Sequence, residues 1–274
     1  MTEQIATQAP PVNPLLERLR IPGETFRLPS QGVFYKNGEL DDNITKGEVE
    51  VYPMTALDEV ILSTPDKLLS GKAIEEVFAR CIPQIHKPRE LLTLDVDFLM
   101  VCLRMVSFGQ TMSISYRHNC EKAKEHPYDV DLQKMIRATR PLDPTTINTE
   151  YQMRMQNGQV VKLRPLTFGS VIELYETTMM IKQGEDKGDL DEKEMQKIII
   201  GTLSNLIQSV DAVTNKDHIV EWVSKIPLGW KKQIERVAQN ASKWGVDFSI
   251  TQKCRDCSEE FVTQVTTNPV SFFT

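Results

Sequence analysis

The stretch Cys254-Arg255-Asp256-Cys257 constrains this chain more than any other. A Cys-x-x-Cys turn between two strand-like runs offers two thiolates at the spacing of a zinc knuckle, and tetrahedral zinc takes four ligands. Two more must come from elsewhere. Outside this turn, Cys and His crowd between strand-like runs at His118-Asn119-Cys120, with His126 close behind. The expected site is therefore one structural Zn2+ held by His118, Cys120, Cys254 and Cys257. His126 is an alternative to His118, because a single intervening residue is tighter than the usual spacing of about two to four. Such a site would be a clamp, closed to substrate, and metal binding would contribute directly to folding. Two unligated knuckles or a redox pair are the competing readings of Cys-x-x-Cys, and Cys254 lacks a thioredoxin-like strand context.

Two internal echoes support pairing the remote turns. Ser113-Ile114-Ser115-Tyr116-Arg117-His118-Asn119-Cys120 resembles Ser249-Ile250-Thr251-Gln252-Lys253-Cys254-Arg255-Asp256-Cys257, each following a glycine, Gly109 or Gly245. Upstream, Val49-Glu50-Val51-Tyr52-Pro53-Met54-Thr55 reads like Val161-Lys162-Leu163-Arg164-Pro165-Leu166-Thr167. The same order of echoes suggests a duplicated unit of strand, helices, strand and knuckle, with extra helix in the second copy.

Composition excludes several classes. With 274 residues, 40% apolar and 26% charged, the chain has the makeup of an ordinary soluble globular protein. A net charge of −6 gives no global attraction to nucleic acid or anionic lipid. No apolar run approaches the roughly 18 residues of a membrane span, and Met1-Thr2-Glu3-Gln4 lacks the layout of a secretory signal, so synthesis in a reducing cytoplasm is expected. Cys81 and Cys102 sit in apolar helical patterns and read as core.

Along the chain, residues 1–30 read as an extended arm: Pro10-Pro11-Val12-Asn13-Pro14 cannot lie inside a helix, and Leu15, Leu16, Leu19 and Ile21 lie between prolines. That arm suits a surface on a partner or on the chain's own body. Residues 31–136 form a first half. Strands are expected at Val33-Phe34-Tyr35 and Val49–Tyr52 with a turn at Asn37-Gly38, then a helix capped at Thr64-Pro65, two more with stripes Ile74–Ile82 and Val96–Val106, and a hairpin over 111–132. Residues 137–150, with Pro141 and Pro144, read as a connector. The half 151–274 begins with a hairpin turning at Asn157-Gly158. It continues as helices around Phe168–Tyr175, Ile198–Ile207, Asp217–Val223 and Leu228–Trp244, and ends in the second knuckle. The fold expected is α+β, helix-rich with β-hairpins and a zinc-ribbon-like junction.

No Gly-rich phosphate loop, His-Glu-x-x-His or Gly-x-Ser-x-Gly elbow is present, and the carboxylate clusters lie in solvated contexts, so no catalytic or small-molecule-binding residue is assigned. An alternative class, a zinc-containing nucleic-acid binder, would draw on Lys231, Lys232, Arg236 and Lys243.

The runs Leu19 through Tyr35, Val49 through Thr55, Pro65-Asp66-Lys67-Leu68-Leu69-Ser70-Gly71 and Asn268-Pro269 with Ser271-Phe272-Phe273 resemble the baseplate hub proteins of contractile-tailed bacteriophages related to T4. The resemblance implies a structural component of the hub or an assembly factor for it, not an enzyme, acting through contacts with other baseplate or tail proteins. It also implies assembly in the host cytoplasm and residence in the virion tail if the protein stays. The family supplies no active-site residue to place on this chain.

Overall fold

The structure, a computed structural model, describes residues 21–120, 124–184, 192–266 and 272–273. The elements begin with β1 (Glu24–Arg27) and β2 (Glu48–Val51), followed by α1 (Ala56–Leu62), α2 (Pro65–Leu69), α3 (Lys72–Cys81) and α4 (Thr93–Phe108). Next come the hairpin β3 (Thr111–Arg117) and β4 (Glu125–Asp131), then α5 (Leu132–Ala138) and α6 (Ile147–Glu150). A second run holds β5 (Gln152–Arg154), β6 (Val160–Leu163), α7 (Phe168–Gly184), α8 (Glu192–Leu206) and β7 (Ile207–Val210). It closes with α9 (Lys216–Lys225), α10 (Leu228–Ala241) and the hairpin β8 (Ser249–Lys253) and β9 (Glu260–Gln264). The fold is α+β, with small antiparallel sheets ordered β1-β2, β3-β4, β5-β6-β7 and β8-β9.

Two apolar cores organise these elements. The first surrounds α4, whose Leu99, Val101, Cys102 and Leu103 are fully buried, with α3 and the inner face of β2 packed against it. The second gathers α6, the three-stranded sheet and α8 to α10 around Val161, Leu163, Ile207, Ile219 and Ile234. Both Cys81 and Cys102 lie in the first core, where burial pushes the Cys81 thiol up to about 12 and the Cys102 thiol well above the ordinary range. Val246, Phe248, Ile250, Val265, Phe272 and Phe273, expected with the second half, join the first core instead. The Phe272–Phe273 pair is thus folded inward, with Phe272 1% exposed.

Two strands differ from expectation. Val33-Phe34-Tyr35 is not a strand: Gln31, Val33 and Tyr35 each donate to the carbonyl three residues back, a run of tight turns. The strand facing β2 is β1, which starts inside the segment expected to be arm; residues 1–20 lie outside the described residues. Pro29 cannot extend the ladder, and Gly47, at φ 69°, crosses so close that a Cβ there would meet the Gln31 carbonyl carbon at 2.8 Å. The 28–35 loop is held on the first turn of α4. Ser30 N donates to Asp95 Oδ1 at 3.0 Å, Tyr35 Oη donates to Asp95 Oδ2, and Leu92 N donates to Tyr35 Oη at 2.9 Å. The second departure is β7, which was not anticipated and whose first residue, Ile207, was expected to end a helix; Val210 pairs with Val161 as a third strand beside β6.

Helix α1 directly follows Val49 through Thr55, the run that in the duplicated unit leads into helix. Thr55 is its N-cap and Asp58 the N3 residue of a capping box: Thr55 N donates to Asp58 Oδ2 at 2.8 Å, and Arg80 approaches Asp58 Oδ1 at 2.6 Å. A Thr-x-x-Asp box of this kind is a helix-start signal.

Candidate metal centre

The two hairpins that carry the Cys and His residues pack across one another. In β3–β4 the alternation puts Met112, Ile114 and Tyr116 on one face, opposite Val130, Tyr128 and His126 respectively. In β8–β9 the same period of two directs Phe261, Thr263 and Val265 inward. Phe261 is the bolt between them. Its ring stacks on Tyr116 at 5.1 Å and on His118 at 4.8 Å, and meets Tyr128 edge-on at 5.5 Å. Polar contacts fix the register: Gln252 Nε2 donates to the Asp129 carbonyl at 3.1 Å and Arg255 N to Tyr128 Oη at 3.4 Å.

This packing brings the two tips together. The ligand atoms of His118, Cys120, Cys254 and Cys257 all lie within 4.8 Å of one another, and Cys257 Sγ is 3.5 Å from His118 Nδ1. A tetrahedron with arms of about 2.3 Å has edges of about 3.8 Å, so this donor set can hold a metal ion after small adjustments. Cys254 is buried, His118 and Cys120 half-buried and Cys257 exposed. At the first tip the single intervening residue is accommodated by a tight turn in which Cys120 N donates to the His118 carbonyl at 3.0 Å. At the second, Ser258 takes a positive φ of 65° and returns its N–H to the Cys254 carbonyl at 2.9 Å.

His126, the alternative ligand, is engaged elsewhere. Its Nε2 lies 2.9 Å from Asp256 Oδ2, which also accepts from Lys124 N at 3.2 Å. Asp256 sits within the Cys-x-x-Cys turn, so its carboxylate braces the second tip against the first hairpin. His126 holds that carboxylate below its usual range.

The thiols are inequivalent. The Cys257 amide donating to Cys254 pulls that thiol down to about 6, with further help from the Asp256 amide and His118. The Cys257 thiol rises to about 11: the Glu259 amide pulls it down, but desolvation and its neighbours Cys254 and Cys120 outweigh that. Zinc takes cysteine as thiolate, so a cation binding at this cluster would release protons from its thiols.

The family of T4 bacteriophage base plate proteins matches residues 38–274. The chain belongs to this family. No curated protein and no solved structure matches it. As a base plate family member the protein is a structural component of a phage tail, and both tips of the Cys/His cluster fall inside the matched region. No helix of the described residues is long and apolar enough to cross a membrane.

Proposed function

We propose that this chain is a structural or assembly component of the baseplate hub, joining other tail proteins through surface contacts in the host cytoplasm, without catalysis. In this reading a Zn2+ on His118, Cys120, Cys254 and Cys257 stiffens it. The observation that carries the proposal is the convergence of two hairpin tips, remote in sequence, on one four-ligand cluster within a base plate family member. Closure of such a site by four protein ligands is characteristic of structural zinc and leaves no position for substrate.

The chain also reads as two copies of one unit, 31–136 and 151–274 joined by 137–150. Supporting this, β2 and β6 each lead into helices, and β3–β4 and β8–β9 each close on a ligand-bearing tip. The upstream echo falls on β2 and β6 and the knuckle echo on the two hairpins, in the same order.

The test is co-expression with the other tail proteins followed by purification of the complex and metal analysis. A hub component co-purifies stoichiometrically with them and carries about one zinc per chain. A chain that elutes alone and monomeric from that mixture refutes the hub role. A chain that co-purifies without metal refutes only the zinc.

A further inference from the structure

A cleft of about 630 Å³ runs between α2, the first two turns of α4 and the start of α7. Its walls include Leu69, Val96, Met100, Val171, Ile172 and Tyr175. The rim is open to water, with Leu69 52%, Val171 37% and Tyr175 38% exposed. Helix α7 explains why this surface is unfinished. Its apolar residues are spread around the helix, the pattern of a helix covered on every side. One side packs on α8, and another meets the turn between α2 and α3, where Gly71, at φ 72°, lets Ile172 approach; a Cβ there would stand 2.8 Å from its Cγ1. The side bearing Val171 and Tyr175 stays accessible.

Asp97 is the charged side chain among the lining residues. Among the described residues it has neither ion pair nor hydrogen bond, and desolvation pushes its carboxyl up to about 6. An isolated carboxylate in an apolar wall is completed by a cation arriving with apolar surface around it. The stretch of α4 from Thr93 to Met100 rises roughly 10 Å, two helical turns, which matches anchors at i, i+3 or i+4, and i+7 of a docked helix.

We propose that this cleft docks an amphipathic helical segment of a neighbouring tail protein, with one Lys or Arg on its apolar face meeting Asp97. The identity of the source as a tail protein rests on the hub reading; the chemistry of the cleft does not. A helix of that pattern buries what α7 leaves open and pairs the carboxylate that α4 leaves alone.

The test uses the full chain and a synthetic fluorescent helical peptide with leucines at i, i+4 and i+7 and a lysine beside them, read by anisotropy. Saturable binding is expected, weakened at least tenfold by Val171→Asp, by Asp97→Asn, or by exchanging the peptide lysine for glutamate. Both variants alter partly exposed sites, and unchanged circular dichroism confirms their fold. Equal binding of the lysine and glutamate peptides, or indifference to both variants, overturns the proposal. So does concentration-dependent dimerisation abolished by Val171→Asp, which would make a second copy the occupant. Removal of residues 1–20 that tightens peptide binding more than tenfold would make the chain's own leucine-bearing segment the occupant, and co-sedimentation with neutral lipid vesicles lost in Val171→Asp would make it lipid; each overturns the proposal. Because no other tail protein enters the assay, its failure leaves the hub reading standing, and failure to co-purify with tail proteins leaves the peptide result standing.

Discussion

His126 on β4 reaches across to Asp256 in the opposite tip, Nε2 to Oδ2 at 2.9 Å, so the two hairpins are braced by a contact that lies beside the Cys/His cluster and not within it. Phe261 adds an apolar brace through three rings. A metal ion on the cluster would therefore not be the sole tie between the two hairpins.

Cys254→Ser should abolish bound zinc while the far-UV circular dichroism keeps its helical shape. The loss expected is on the order of 3 kcal/mol, a fall in melting temperature of about 6–12 °C for a chain of this size class. Metal analysis and a thermal melt read both quantities; a melt unchanged from the parent would mean that the cluster carries no stabilising ion.

Phe261→Ala removes the ring on which His118 stacks. Destabilisation of about 3 kcal/mol is expected from the cavity alone. Zinc affinity, measured by competition with a chromophoric chelator, should also fall by about tenfold because the imidazole loses its support. Phe261→Leu, which restores volume without the stack, should recover stability more than affinity.

Asp95 supplies a pH dependence of definite sign. Burial raises its carboxyl to about 6, above the ordinary value, against the opposing pull of its bonds from Ser30 and Tyr35. Between pH about 4 and about 6 the unfolded chain has released this proton and the folded chain retains it, so stability falls as pH rises through that window. The contribution is on the order of 2–3 kcal/mol, and Asp97, raised to about 6 by desolvation, adds a slope of the same sign. Urea melts from pH 4 to 7 should show the decline, and Asp95→Asn should flatten part of it. A curve that rises across the window in the parent and is unaffected by the substitution would contradict the assignment.

Phe272→Ala should destabilise by about 3–5 kcal/mol, as for a fully buried aromatic, because the side chain lies in the first core and not on the surface. Guanidinium melts read this directly. A change under 1 kcal/mol would mean that the ring is not packed there.

What sequence made legible follows from which signals are local. Cysteine and histidine are scarce here, so their clustering at two turns singled out four residues that the fold brings within 4.8 Å. The strict alternation of β3, β4 and β9 and the Asn157-Gly158 turn, with Gly158 at φ 90°, were equally readable. Pairings decided at long range were not. Val33–Tyr35 has strand composition, yet Tyr35 is drawn to Asp95 and β1 takes the place beside β2. Ile207–Val210 continues an apolar helical rhythm, yet the open edge of β6 captures it. The Thr55-x-x-Asp58 cap was a local signal that went unread. His118 was the ligand expected and His126 its alternative; the contact between His126 and Asp256, made only in three dimensions, separates them.

The burial of Phe272 and Phe273 against α4 sets an order of events during synthesis. Until Phe272 and Phe273 leave the ribosome, the earlier-made core around α4 lacks these two rings, and the tip at His118 waits for Cys254 and Cys257. Closure of the early-made half is thus delayed until translation has passed Phe273. A prematurely terminated product would leave apolar surface open beside α4 and be recognisable to the host's chaperones and proteases before it could enter a tail.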